Sequence, residues 1–447
     1  MSDRAPFLNR PFGAYYHRHV PKEDALLART GPDTPCGEYL RRFWQPIGHA
    51  PAVGDLPRAI TVMHEDLVLF RDGRGRLGLL QKHCCHRGTS LEYGVVEDSG
   101  IRCCYHGWQF DVDGRILDLP SETRRNTLKD RLFQGAYPVH EHCGLVFAYM
   151  GPPELMPPFP VLDTFLVPGY DLGHGEMVGV SNVKPCNWLQ IIDNVVDPVH
   201  EPFLHTRISG GQFQDAHGKP MAEMAEVGEL DFRETPLGLI TQEARRVADA
   251  YWVRCIEYIL PNIIQVARAP AFPFAFPDGA DVQHYVPTLT RWRVPVDDES
   301  TVEWALVRVR HGDNNPYLDA NVPAFRTNYG GRPYEDMQRN PGDYEAQISQ
   351  RTIARHGLEH LTAADRGVTM MRRMVREGIH AVARGEVPKG VLRAGPGPVP
   401  TYGNETLFRA AAPPAADETE RLREAARTVY DWVMQAPVAS RPGARCT

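Results

Sequence analysis

The chain contains no apolar run approaching the roughly 18 residues of a membrane helix. Its first twenty residues, Met1 to Val20, hold no apolar core of the kind a secretory signal needs. Both absences predict a cytoplasmic protein with no membrane partner. A long basic run is also missing and the formal net charge is −7, so nucleic acid is not an expected partner either. No internal repeat is present. A secreted disulfide framework is not expected, since nine cysteines is an odd count in a long chain of 447 residues. Four of the nine are packed into Cys84-Cys85 and Cys103-Cys104, which points to metal or redox chemistry in a reducing compartment. Cys36, Cys143, Cys186, Cys255 and Cys446 stand alone and read as small buried apolar residues.

What is present is ordinary globular composition, with length for about two or three domains. Residues 1–40 read as an N-terminal arm and a short helix around Cys36 to Trp44. Short β-rich runs follow at 59–62, 67–70, 77–80 and 145–149, with turn signals at Asp72-Gly73-Arg74-Gly75 and Asp111-Val112-Asp113-Gly114. They predict a small antiparallel β domain over 41–155, ended by the proline-rich 151–160. A larger unit over 156–385 carries long β-rich runs at 255–268, 282–293 and 301–310, then a helical pattern from Asp343 to Ala383. Residues 386–447 read as a C-terminal tail with a helix from about Asp417, with Glu420 as its capping partner, to Met434. The expected class is α+β, an antiparallel sheet flanked by helices beside the small β domain.

Within the β domain, Cys84-x-His86 and Cys103-x-x-His106 put two cysteines and two histidines on two loops. Two thiolates on one iron and two imidazoles on the other describe a Rieske [2Fe–2S] centre. A structural Cys2His2 zinc site is the competing assignment. Cys85 and Cys104 are left as free thiols.

A second cluster lies in Asp193-Asn194-Val195-Val196-Asp197-Pro198-Val199-His200-Glu201-Pro202-Phe203-Leu204-His205. His200 and His205 would sit roughly 140° apart on an ideal helix of about 3.6 residues per turn. Pro198 and Pro202 are expected to bend the segment and let the imidazoles converge. Two histidines with a distant carboxylate would form the facial triad of non-haem Fe(II) oxygenases. The plainer alternative is two partly buried histidines on an amphipathic helix. Asp197, three residues before His200, shares a helical face with it and is placed to orient that imidazole.

The residues CCHRG at 84–88, CCYHGWQFD at 103–111 and NWLQIIDNVVDPVHEPFLH at 187–205 resemble the oxygenase (alpha) components of Rieske non-haem iron aromatic-ring oxygenases. The similarity is greatest to the phthalate-dioxygenase-like group, which includes aromatic O-demethylases. It spans roughly residues 30–380. The resemblance implies Asp343 as the third ligand of a mononuclear Fe(II), with Gln350 and Glu359-His360-Leu361 at matching offsets. Gly342 and Arg355 depart from the pattern, and a helix N-cap is the alternative role for Asp343. It also implies that Asp197 passes electrons from His106 of a neighbouring subunit in a homotrimeric ring, and that a separate NAD(P)H-dependent reductase with flavin and iron–sulfur groups supplies them. The implied reaction is O2-dependent hydroxylation or O-demethylation of a small, carboxylated aromatic, with cis-dihydroxylation as the alternative. Arg207, two residues after His205, is a candidate for the substrate carboxylate, weighed against a surface or interface arginine. The rival from another class is a Rieske electron carrier or sensor with no oxygenase chemistry.

Overall fold

Two short helices precede the first sheet: α1 (Ala25–Ala28) and α2 (Pro35–Leu40). Thr34 caps α2 by accepting from the Gly37 N–H at 3.1 Å, and Pro35 occupies the first turn, where no N–H is needed. The computed structural model describes residues 8, 10–16, 19–120, 122, 127–175, 183–208, 221–267, 280–312, 332–392, 397–409 and 417–436.

Eleven strands follow: β1 (Trp44–His49), β2 (Arg58–Val62), β3 (Glu65–Arg71), β4 (Leu77–Gln81), β5 (Val95–Val96), β6 (Ile101–Arg102), β7 (Gln109–Phe110), β8 (Ile116–Asp118), β9 (Ala136–Tyr137), β10 (Val139–His142) and β11 (Leu145–Tyr149). They form three antiparallel sheets, ordered β1-β11-β10, β2-β3-β4-β9 and β5-β6-β7-β8. The predicted strands and the Asp111–Gly114 hairpin are all found here. The loops after β4 and β6 carry the two Cys/His motifs.

The larger unit is one antiparallel sheet of ten strands among the described residues. These are β12 (Tyr170–Gly175), β13 (Val183–Lys184), β14 (Glu229–Glu234), β15 (Gly238–Val247), β16 (Ala250–Ile259), β17 (Ile263–Ala267), β18 (Val282–Tyr285), β19 (Pro287–Pro295), β20 (Thr301–Arg310) and β21 (Asn404–Phe408). The predicted runs at 255–268 and 282–293 are each broken in two. β21 is the larger departure. It pairs with β16 through Asn404–Phe408 opposite Cys255–Tyr251, and with β18 on its other side. The region read as a C-terminal tail therefore contributes a strand to the large sheet as well as the expected helix. Its NETLF strand is buried on both faces, so it lacks the polar–apolar alternation that marks a half-exposed strand.

Among the described residues, five further helices accompany the sheet: α3 (Trp188–Val195), α4 (Tyr334–Arg339), α5 (Asp343–Ile348), α6 (Arg366–Ala383) and α7 (Glu418–Gln435). Asp417 caps α7 by accepting from the Glu420 N–H at 2.8 Å, where sequence reasoning placed that cap. Ala425, Ala426, Val429 and Val433 form its buried stripe against Ile240, Ala244, Val253 and Cys255. Trp252, Arg254, Ile256 and Tyr258 therefore point to the other face of β16. The expected Asp343–Ala383 helix is split into α5 and α6 by two 3₁₀ turns, His356–Leu358 and Ala363–Asp365.

Arg372 of α6 joins that inner layer together. It donates to Asp193 of α3 at 2.6 and 3.0 Å and to Glu359 at 2.6 and 2.9 Å. Removing it leaves two carboxylates facing each other in a largely buried place. Arg372→Ala should destabilise the holoprotein by about 3–5 kcal/mol, read as a lower denaturant midpoint at unchanged slope. A shift too small to resolve would show that water substitutes for the guanidinium.

Candidate metal centres

The two Cys/His loops have the same backbone plan. In each, the cysteine N–H bonds a carbonyl five residues on: Cys84 to Thr89 at 2.9 Å and Cys103 to Trp108 at 2.8 Å. In each, a glycine N–H returns to the cysteine carbonyl: Gly88 to Cys84 at 2.8 Å and Gly107 to Cys103 at 3.1 Å. Gly88 and Gly107 have φ of +78° and +76°, a conformation that side chains with a Cβ adopt at a cost. Gln134 fixes the first loop by accepting from the Cys85 N–H at 2.8 Å and donating to the Gln81 and His83 carbonyls. Arg102 fixes the second, donating to the Gly107 carbonyl at 2.6 Å while paired with Glu97 and Asp118. Neither residue was singled out from sequence, because a lone Gln or Arg carries no signal until the loops are folded.

Cys84 and Cys103 are buried and adjacent, whereas Cys85 and Cys104 are exposed. Burial pushes the Cys84 thiol up to about 12, and Cys103 beside it adds to the rise. A pair of buried thiols ionises only against a cationic metal. The His86 and His106 rings lie 4.5 Å apart, His86 stacks on Trp108 at 4.6 Å, and the buried His86 Nδ1 has no hydrogen-bond partner. That unpaired atom and the paired thiols fit a metal cluster. Among the described residues, the sets whose ligand atoms all lie within 4.8 Å of one another are His200–His205–Asp343 and Asp193–His356–Glu359. The two cysteines and two histidines are not such a set. As two thiols and two imidazoles on facing loops they suit a group with two irons. The Asp193 set is already neutralised by Arg372.

His200 and His205 converge by a route that differs from the expected proline bend. α3 ends at Val195, and Glu201–Ile208 is a π-helix. Its i→i+5 bonding stacks residues five apart on one face. The ring centroids are 5.1 Å apart. Glu201 ties this helix to the sheet through Arg254 at 2.8 Å, and Arg254 also reaches Glu405 of β21 at 3.2 Å. Asp343 completes the trio. Its Oδ1 lies 3.2 Å from His205 Nε2 and 3.7 Å from His200 Nε2, and is buried without a hydrogen-bond partner. Asp343 is the first residue of α5 and not its cap. Gly342 holds the N-cap position, with its N–H bonded to Glu345 at 2.8 Å. The Asp343 carboxylate is thus left to face the imidazoles. Burial would raise its pKa, but His205, His200 and Lys184 together hold it well below the usual carboxylate range.

A polar layer beneath the trio was missed from sequence. Gln347, one turn along α5, accepts from Lys184 at 2.8 Å and donates to Asn194 at 2.8 Å; Gln190 donates to the Gln347 carbonyl at 2.8 Å. The spacing of Gln190, Asn194 and Asp197 along one helical face was the available signal. Asp197 is half-buried. Its carbonyl, rather than its carboxylate, accepts from His200 Nδ1 at 2.5 Å, while the carboxylate accepts from the Val199 N–H at 2.8 Å. The structure does not bring Arg207 to the trio. It lies exposed over the Phe203 ring and pairs with Glu226 and the Ala225 carbonyl. Two steps along a π-helix are nearly half a turn, which aims residue 207 away from residue 205.

A model of the Rieske [2Fe-2S] domain matches residues 43–134. The tert-butanol monooxygenase / tert-amyl alcohol desaturase oxygenase subunit of Aquincola tertiaricarbonis is 39% identical over 459 residues, spanning 96% of this chain and 94% of that protein. Phenoxybenzoate dioxygenase subunit alpha of Ectopseudomonas oleovorans is 36% identical over 403 residues, spanning 88% and 93%. Dicamba monooxygenase bound to 3,6-dichlorosalicylic acid shares the fold, with a TM-score of 0.55 at 16% identity over 77% of this chain and 98% of that one. Similarity to oxygenase subunits along nearly the whole length, with a Rieske domain at its head, places this chain among the Rieske non-haem iron oxygenases as an oxygenase (alpha) component.

Proposed function

We propose that this oxygenase component hydroxylates or O-demethylates a small aromatic compound with O2, using electrons from a separate NAD(P)H-dependent reductase. The convergence of His200, His205 and Asp343 on one point supports this above all. In this reading Cys84, His86, Cys103 and His106 hold the [2Fe–2S] cluster, and His200, His205 and Asp343 hold Fe(II). When bound, these groups supply single electrons and O2 activation. The protein's share is positional. The Asp197 carbonyl fixes the proton of His200 on Nδ1, so Nε2 presents a lone pair to the metal. Asp343, kept ionised, contributes one negative charge, and a set of three protein ligands leaves room for O2 and substrate. The half-exposed His106, at the tip of its loop, and Asp197 are assigned to an electron route between neighbouring subunits of a homotrimeric ring. The compartment assigned is the cytoplasm. Clustered thiols support it, and no helix among the described residues is long and apolar enough to cross a membrane.

The relatives' names include a neutral alcohol and an aromatic acid, so the substrate class is a separate question. The test is iron and oxygen accounting on the purified holoenzyme. Three irons per chain and ¹⁸O from ¹⁸O2 in the product, or formaldehyde from a methoxy-aromatic, are expected. Two irons per chain and no substrate-dependent O2 uptake would identify an electron carrier or sensor instead.

A further inference from the structure

We propose that Asn194 is a specificity-determining residue of the site. Its side-chain amide donates an N–H to a neutral oxygen of the substrate, and Lys184 fixes that orientation through Gln347. The proposal rests on the oxygenase reading above. The chain of bonds starts at a group that can only donate. Lys184 of β13 is buried, and its ammonium donates to Glu303 at 3.1 Å and to the Gln347 side chain at 2.8 Å. An ammonium has no lone pair, so the Gln347 atom facing it is the carbonyl oxygen. The Gln347 nitrogen is thereby turned to Asn194, where it donates to Oδ1 at 2.8 Å. Asn194 Nδ2 is left on the other side of its amide. Each amide carries one oxygen and one NH2, so the polarity set at Lys184 passes along the chain to Asn194.

Asn194 Nδ2 makes no hydrogen bond among the described residues. The neighbouring amide, Gln190, is fully engaged. It donates to the Gln347 and Arg351 carbonyls at 2.8 and 2.9 Å and accepts from the Ala354 N–H at 2.9 Å. Position gives the free donor its meaning. Gln347 follows Asp343 by one turn of α5, a rise of about 5–6 Å, and Asn194 is on the segment that leads through Asp197 to His200. Lys184, Gln190 and Gln347 are buried. His200 and His205 keep 18% of their side-chain surface open, and Asp343 keeps 25%. Asn194 is half-buried and joins the closed layer to the open side of the trio. An uncharged N–H suits an uncharged acceptor, since neither partner brings a charge that must be desolvated. A hydroxyl, an aryl ether and a carbonyl all supply one.

The experiment is equilibrium dialysis of oxidised holoenzyme, without reductase, with two pairs of ligands of equal shape. Acetophenone and α-methylstyrene exchange C=O for C=CH2; aniline and toluene exchange NH2 for CH3. Comparing the affinity ratio of a pair between enzyme variants cancels the ligands' own hydration. Gln347→Glu keeps an acceptor for Lys184 and has no donor for Asn194. The Asn194 amide must then turn over, donate to the new carboxylate and present Oδ1 to the ligand. The acetophenone to α-methylstyrene ratio should fall about threefold to tenfold. The aniline to toluene ratio should rise, at wild-type iron content and cluster spectrum. A site that was merely loosened would not move the two ratios in opposite directions. Asn194→Leu, which removes the amide, should lower the first ratio without raising the second, and decides the matter if the Gln347→Glu protein does not fold or loses iron. Unchanged ratios in both variants, a fall of both ratios in Gln347→Glu, or no binding of any of the four ligands by wild type would overturn the proposal. Unchanged ratios in an enzyme that incorporates ¹⁸O would leave the oxygenase reading standing. Shifted ratios with no oxygen incorporated into any compound would do the reverse.

Discussion

Asp197→Asn is expected to cut steady-state turnover by about a hundredfold or more while leaving both metal centres loaded. The geometry separates these effects. His200 is held by the main-chain carbonyl of Asp197, which the substitution does not touch. The amide oxygen of Asn can still accept the Val199 N–H, so the turn entering the π-helix is retained. What disappears is a half-buried negative charge assigned to the crossing between subunits. The reductase should therefore still reduce the cluster. In single turnover, the reduced cluster should then fail to reoxidise promptly when substrate and O2 are added. Prompt reoxidation with normal product would make Asp197 structural. Loss of mononuclear iron would show that its carboxylate is needed at the metal.

Asp343→Ala should abolish oxygen incorporation and release one iron of three, with the visible and EPR signature of the cluster unchanged. Without Asp343 two imidazoles remain, and no described carboxylate completes a set with them at ligand distance. Glu345, the nearest acid in sequence, is held by Arg332 at 3.0 Å and by the Gly342 N–H. Because the cap of α5 does not involve the Asp343 side chain, the fold should survive. Full iron content in Asp343→Ala would reassign the third ligand.

The candidate metal ligands were legible in the sequence because coordination restricts residue type and spacing so narrowly. Cys84, His86, Cys103 and His106 need only two tight loops, and the glycines that close those loops are part of the motif. The strands at 58–62, 65–71 and 77–81 were legible through alternation and turn residues. The π-helix was not, since nothing in local composition distinguishes i→i+5 from i→i+4 bonding, and the prolines drew the explanation towards a bend. Arg207 was raised as a candidate by nearness in sequence, and the structure gives it the surface position weighed against that role. The burial of β21 on both faces removed the pattern that would have announced it.

That strand has a consequence for how the protein is made. During synthesis the N-terminal sheets, complete by Tyr149, can close while the ribosome is still translating the rest. Until residue 408 emerges, the Tyr251–Cys255 half of β16 has an open edge, and Arg254 waits for Glu405, one of its two carboxylates. The nascent chain thus passes through a stage in which the cluster loops are ready for loading while the sheet behind the His200–His205 helix is unfinished. A cluster held by the Cys84–His106 loops would then not have to wait for the site proposed at His200, His205 and Asp343.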